Sequence, residues 1–255
     1  SEHQSENMKQ CPQCKSQFEI LPADRQFYEM MDVPEPTLCY ICRMQRRLSF
    51  RSERFLYHRK CDLSGKQIIS TYSTDKPFPV YLVYEWLSDR YDPLAYGRDF
   101  DFSRPFFEQF FELRDLAPRR NLIQQEPMIN SEYCNTVGHL KNCYLCFSSS
   151  GDEDCLYNSW VNFSRNCVDN KSVHHSELCY ECVDCRDCYD LKYSQNCTNC
   201  KNSFFLRNCQ GCRDCFGCSN LINKQYYIFN KPETKEQYER FFREVDVGSY
   251  KVISK

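Results

Sequence analysis

Between residues 131 and 230 small and apolar side chains recur at every third position, a period that neither an α-helix nor a flat β-strand has. All fifteen cysteines from Cys134 to Cys218 fall in this one phase. Independent placement would give that roughly once in several million trials. Where cysteine is absent the phase holds residues such as Val137, Leu140, Ser149, Asn158, Val161, Leu191 and Leu206. Folded into twelves, the phase forms four columns. Cys143, Cys155, Cys167 and Cys179 make one, and Cys134, Cys146, Cys182 and Cys218 a second; Cys185, Cys197 and Cys209 make a third, and Cys188, Cys200 and Cys212 the fourth. Cys215 shares the phase. A narrow two-sided coil turning twice per circuit points every third residue inward. Asn142, Asp154, Asn166, Asp190, Asn202 and Asp214 stack at one turn, and Asp184, Asn196, Asn208 and Asn220 six residues away, where such side chains tolerate left-handed backbone. The pattern predicts an all-β solenoid of about eight coils whose rise is the strand spacing.

A second ladder points outward: Tyr144, Leu156, Val168, Tyr180, Phe204 and Phe216, flanked by Tyr133, Tyr157, Tyr193 and Phe205. So apolar a stripe is expected to be covered by the middle of the same chain, or else to be a face for a protein partner. The opposite face, with Asn162, His174, His175, Arg186, Thr198 and Gln210, is polar. After a strand at 225–230, Pro232 begins a helix with Thr234 and Gln237 as a capping box and Tyr238, Phe241, Phe242 and Val245 on one side. It can close the last coil, as solenoids require.

The N-terminal pattern is different. Cys11-Pro-Gln-Cys14 and Cys39-Tyr-Ile-Cys42 are two C-x-x-C pairs with 24 residues between them. Two such turns supply the four soft ligands of a closed tetrahedral zinc site, the alternative being two unrelated redox pairs. Over about residues 10–60 the spacing resembles zinc-ribbon and treble-clef modules, although Lys15 stands where glycine often follows the first knuckle. Arg43, Arg46, Arg47, Arg51 and Arg54 then recur at three- and four-residue intervals, followed by Arg59 and Lys60, with only Glu53 opposing them. On one helix face, with Phe50, Phe55 and Tyr57 among them, they suit phosphate pairing and base stacking, hence RNA or a ribonucleoprotein. The plainer expectation pairs them with some of the chain's 35 acidic residues.

Cys61, alone three residues after His58, is expected to be a buried thiol, with 62–66 turning into a strand over 67–72. Further on, Ser103 is placed to cap a helix whose Phe106, Phe107, Phe110, Phe111 and Leu113 read as core. Asp99, Asp101, Arg104 and Glu108 could form an acid–base cluster, but solvated surface is the expectation.

Composition narrows the reading. Twenty cysteines, with no apolar leader and no run able to cross a bilayer, suit a cytoplasmic protein without membrane contact, whose thiols bind metal or pack as thiols. A net charge of −2 excludes a globally basic nucleic-acid coat. No nucleophile motif, phosphate loop or cofactor fingerprint is found, and seven glycines give a phosphate cradle little material. The chain is therefore expected to be no enzyme and to hold no organic cofactor.

The predicted organisation is an α+β zinc-ribbon or treble-clef module at 10–60, a mixed aromatic-rich segment at 61–130, a solenoid at 131–230 and a capping helix and tail at 231–255. The repeat is similar, in architecture only, to the twelve-residue cysteine-cored solenoid of insect antifreeze proteins, whose threonine ladder is missing here. The whole resembles uncharacterised bacterial proteins joining an N-terminal zinc ribbon to a cysteine-rich tail. The function expected is a non-enzymatic, zinc-stabilised binding or scaffold protein that meets RNA through the basic helix. The alternatives are Cu(I) or zinc binding or thiol redox buffering by the lumen, and a protein scaffold using the aromatic stripe.

Overall fold

The computed structural model describes residues 7–50 and 52–245, and divides between Ser52 and Glu53 into two units. In the first unit β1 (Met8–Gln10) pairs antiparallel with β2 (Gln17–Glu19), and α1 (Pro22–Met30) and α2 (Tyr40–Leu48) follow. Proline in its first turn and the Asp24 carboxylate, which accepts the Leu21 N–H at 3.0 Å, start α1. That helix buries no side chain. The unit's apolar cluster is Cys11, Cys39 and Cys42 with Phe18 and Leu38 against them. So small a core needs support from outside the hydrophobic effect.

The second unit opens with a hairpin of β3 (Tyr57–Lys60) and β4 (Gln67–Ser70). Next come β5 (Val80–Tyr81), α3 (Val83–Trp86), α4 (Phe106–Leu116) and β6 (Arg119–Arg120), which runs parallel to β5. Asn121 ties these pieces together: its amide donates to the Ile69 carbonyl and its oxygen accepts the Val83 N–H, each at 2.7 Å. Cys61, Ile68, Phe78 and Val80 form the core.

The phenylalanines of α4 depart from expectation. Phe106, Phe107, Phe110 and Phe111 are 46–65% exposed, and the side chain α4 buries is Gln109, whose amide bonds the carbonyls of Asp101 and Arg104. Nor does Ser103 cap the helix, since its N–H and hydroxyl both turn to Asp101 and the cap position is Pro105. Arg104 pairs with Glu108 and Glu112 on exposed surface.

The solenoid starts earlier than the cysteines suggest. Strand β7 (Gln124–Ile129) already pairs parallel with β8 (Val137–Lys141) across a register shift between Gln125 and Met128. From Asn135↔Phe147 to Gln210↔Ile222 parallel bridges join residues twelve apart, giving about nine turns over residues 124–228. The expected inward phase is the buried core.

The coil is four-sided. Every third residue from Thr136 to Phe229 has φ between +46° and +69°, four left-handed corners per circuit where two had been expected. Asn, Asp and Gly fill many corners, but so do Trp160, Phe163, Leu178 and Phe205. Each such non-glycine corner costs about 1–2 kcal/mol, offset by backbone bonding between coils. Corner N–H groups donate one coil back, as Tyr157 does to the Tyr144 carbonyl at 2.9 Å, and outward N–H groups donate one coil forward, as Tyr144 does to Cys155 at 3.1 Å. At each glycine corner a side chain from the next coil lies over it, Phe163 over Gly151, Asn223 over Gly211 and Phe229 over Gly217; a Cβ on Gly151 would come within 2.7 Å of Phe163.

The inward N–H groups explain the lumen's composition. At several positions each finds its acceptor in the inward side chain twelve residues earlier. Ser149 serves Val161, Ser164 serves Ser176, Asn158 serves Asn170, and the Cys134 sulfur serves Cys146 at 3.4 Å. The asparagine amides complete the circuit by donating nine residues onward, Asn158 to the Cys167 carbonyl at 2.7 Å and Asn170 to Cys179 at 2.9 Å. All twenty cysteines are free thiols. Those of the lumen point at backbone carbonyls, for example Cys182 to Leu191 at 3.2 Å and Cys146 to Cys155 at 3.3 Å. A thiol is small, apolar and a weak donor, which suits both the width and the bonding of this interior.

The last coils are closed by α5 (Lys235–Glu244), capped by Thr234 and Gln237 in the expected box. Pro232 lies before it in a short strand against Tyr227 and Ile228 and does not start the helix. Phe241 and Phe242 pack on Phe216, and Phe242 on Phe204, with ring centroids 4.9–5.9 Å apart. Helix α5 thus covers one end of the aromatic stripe, and at the other end His58 of β3 meets Tyr133 edge-on with ring centroids 6.3 Å apart; Tyr144 and Leu156 remain 40% and 36% exposed.

One lumen residue is costly. Asp152 is 1% exposed; its Oδ1 accepts the Ser164 N–H at 2.9 Å, while Oδ2 has no hydrogen-bond partner. Burial pushes its carboxyl up to about 8 from 3.8. Between those two values the folded state holds a proton that the unfolded chain has released, so this group lowers stability as pH rises, by up to about 1.4 kcal/mol per pH unit. Asp152→Asn is expected to abolish that component and to be the more stable protein at pH 8, with an amide able to donate onward as Asn158 does. Urea unfolding of both proteins at pH 5 and pH 8 checks this; an unchanged difference between the two pH values would refute it.

Candidate metal centre

The first unit brings its two C-x-x-C pairs together. At the end of β1 the chain turns so that the Cys11 N–H donates to the Ser16 carbonyl and the Lys15 N–H returns to the Cys11 carbonyl, both at 2.9 Å. Lys15 takes φ +63°, the conformation for which glycine had been expected. Its ammonium donates to the Pro12 carbonyl at 2.9 Å, so the loop is held from its own side chain. The second pair sits on α2, with Cys39 at the N-cap and Cys42 in the first turn.

The four sulfurs lie within 4.8 Å of one another, and Cys14 and Cys39 are 3.6 Å apart. A tetrahedron with metal–sulfur bonds of about 2.3 Å has edges of about 3.8 Å, so the four positions fit one ion. Cys11, Cys39 and Cys42 are buried and Cys14 is exposed. Backbone N–H donation, chiefly from Cys14, holds the Cys11 thiol down at about 6, while burial pushes Cys42 up to about 12. Gathering four thiolates here requires a cation, and four sulfur donors select a soft one. The group could therefore hold one metal ion.

Among the described residues no other set of three Cys, His, Asp or Glu donors converges in this way. The lumen thiols stand in columns, and burial pushes Cys209 up to about 11 and raises Cys212 as well. Hydrogen bonds from neighbouring thiols act the other way at Cys143 and Cys179 and hold them below the usual thiol range, so the lumen thiols do not share one protonation preference.

The basic residues do not share one helix. Helix α2 ends at Leu48, and the unit boundary follows at Ser52. In the first unit Arg43 is partly buried and donates to the Tyr28 hydroxyl at 3.2 Å, whereas Arg46 and Arg47 are exposed. In the second, Arg54 donates to the Ser159 hydroxyl at 2.5 Å, and Arg59 is buried against Asp62 at 2.9 Å. Lys60 is exposed on β3. Arg51 lies outside the described residues. Sequence spacing misled here because a helical period was extended across a helix end.

No protein-family model matches this chain, and no curated protein matches it either. The expected kinship with bacterial zinc-ribbon proteins thus rests on the cysteine cluster and the solenoid alone.

Bound metal in such modules contributes folding free energy on the order of 10 kcal/mol, and the first unit has little other core. Excess chelator, or Cys42→Ser, is expected to open cleavage sites for a protease between residues 7 and 50 while leaving the solenoid resistant. Peptide mapping reads the result; unchanged cleavage in the first unit after metal removal would contradict it.

Proposed function

We propose that this chain is a non-enzymatic binding protein whose first unit, stabilised by one zinc ion, presents α2 to RNA or a ribonucleoprotein, with the solenoid as a rigid scaffold. The observation that carries the reading is the sharing of one helix. Cys39 and Cys42 anchor the start of α2, and Arg46 and Arg47 stand exposed near its end. Among the described residues no carboxylate pairs with either guanidinium, and Phe50 just beyond is 84% exposed. Two unpaired guanidinium groups beside a free ring match the phosphate and base of a single strand. Zinc is the metal of choice because four thiolates at tetrahedral spacing close its coordination shell and leave no open position for catalysis. Free thiols throughout fit a reducing compartment.

A second reading has one observation behind it: Tyr144, Leu156 and Tyr157 leave an apolar stretch of the stripe uncovered, suited to a protein partner.

The RNA reading is tested by binding to a single-stranded oligonucleotide across a salt series. Replacing Arg46 and Arg47 by Ala is expected to weaken binding and to flatten the slope of log K against log salt by about 1.4, roughly 0.7 for each phosphate no longer neutralised. Weak binding that survives the double substitution unchanged would remove the reading.

A further inference from the structure

The two units begin with the same construction. In the first, Gln10 pairs with Gln17 across a hairpin, the Cys11 N–H closes the loop onto Ser16, and Lys15, at positive φ, returns to Cys11. In the second, Lys60 pairs with Gln67, the Cys61 N–H closes onto the Lys66 carbonyl at 2.8 Å, and Gly65, at φ +73°, returns to the Cys61 carbonyl at 2.8 Å. The helices match as well. Helix α2 has Cys39 at its N-cap, with the Arg43 N–H bonded back to it; α3 has Leu82 at its N-cap, with the Trp86 N–H bonded back at 2.9 Å. Position for position, Cys11, Cys14, Cys39 and Cys42 correspond to Cys61, Ser64, Leu82 and Glu85.

We propose that the second unit contains a copy of the same metal-binding clef, in which a carboxylate has replaced the ion and which becomes a thiolate site for a soft divalent cation when its three altered positions are cysteine. The Cys61 thiol, 1% exposed, donates to Glu85 Oε2 at 3.1 Å and accepts the Leu82 N–H at 3.3 Å. One side chain thus meets both ends of the second ligand pair, as a metal would. The other carboxylate oxygen of Glu85 faces Lys66 at 3.5 Å and Arg90 at 3.3 Å. A buried carboxylate with two cations and a thiol donor is satisfied without an ion. Ser64 offers only a neutral hydroxyl, and Leu82 offers no side-chain donor atom. The apolar support differs in the same sense: Ile68, Phe78 and Val80 pack around Cys61, whereas the first clef is built on its own ligands.

The inference rests on the first clef being a metal site, and the test separates the two. Metal per chain is measured on the full-length protein purified under reducing conditions with zinc. Three forms are compared: the parent, the triple variant Ser64→Cys/Leu82→Cys/Glu85→Cys, and that variant also carrying Cys11→Ser and Cys14→Ser. The expected contents are one, two and one ion. A parent with none and a triple variant with one would defeat the reading of the first clef and leave this one standing. A folded triple variant with no more metal than the parent would overturn it, as would a parent holding a second ion that Cys61→Ser removes. Because the triple variant could fail to fold, the parent is also alkylated in excess chelator. Cys61 is expected to stay unreactive while Cys11, Cys14, Cys39 and Cys42 react; labelling of Cys61 along with them would overturn the proposal.

Discussion

A chain that turns four corners in twelve residues has three backbone N–H groups on each side of the coil, and only two of them can reach the neighbouring coils' carbonyls. The third points into the lumen, away from water, where an unpaired donor costs about 1–3 kcal/mol. Much of the second unit follows from that constraint. Lumen side chains must be small enough for a narrow interior and, where possible, offer an acceptor one coil up. Serine and asparagine do so fully, and cysteine does so weakly while keeping the interior apolar. Leucine and valine fill width without bonding. The alternation of Cys134, Cys146, Asn158, Asn170, Cys182 and Ser194 in one column is a record of this compromise. Asp152 marks its limit, with one oxygen used and the other orphaned.

The two units solve the problem of a small core differently. The solenoid gains its core by repetition, each coil burying the face of the one before. The first unit, with no buried residue on α1, has Ile20 and three cysteines as its buried apolar side chains, and the sulfurs are placed where they could hold an ion. The hairpin and helix that open the second unit lie between these cases. They keep the loop and helix geometry of a metal clef, yet rest on Phe78, Val80 and a thiol–carboxylate bond. The four-cysteine cluster thus lies where apolar side chains are scarce.

How far the sequence could be read depended on whether a feature was periodic. The three-residue phase placed the lumen thiols, and the doubled C-x-x-C spacing and the Thr234–Gln237 box were equally local signals. The four corners were harder to see, because Trp160, Phe163 and Leu178 occupy left-handed positions that their propensities disfavour; the stacking of coils outweighs the local cost. The first coil, starting at Gln124, has a single cysteine, Cys134, near its end and carries a register shift, so its start left no trace in the repeat. Phe106, Phe107, Phe110 and Phe111 read as core because aromatic spacing was taken for burial, although nothing in that pattern says a partner surface exists. Glu85 is the partner of Cys61, which stands alone in the sequence. A carboxylate standing in for a metal has no spacing rule, and only the matching of the two clefs identifies it.

Sulfur anomalous scattering from crystals of the protein tests the central claim most directly, since it locates thiols without reference to the chain trace. The account predicts fifteen sulfurs from Cys134 to Cys218 in four parallel columns, with neighbours in adjacent coils about 4.8 Å apart, and a separate cluster of four. Sulfurs scattered over outer surfaces, or gathered from the repeat into tetrahedral groups around ions, would contradict it.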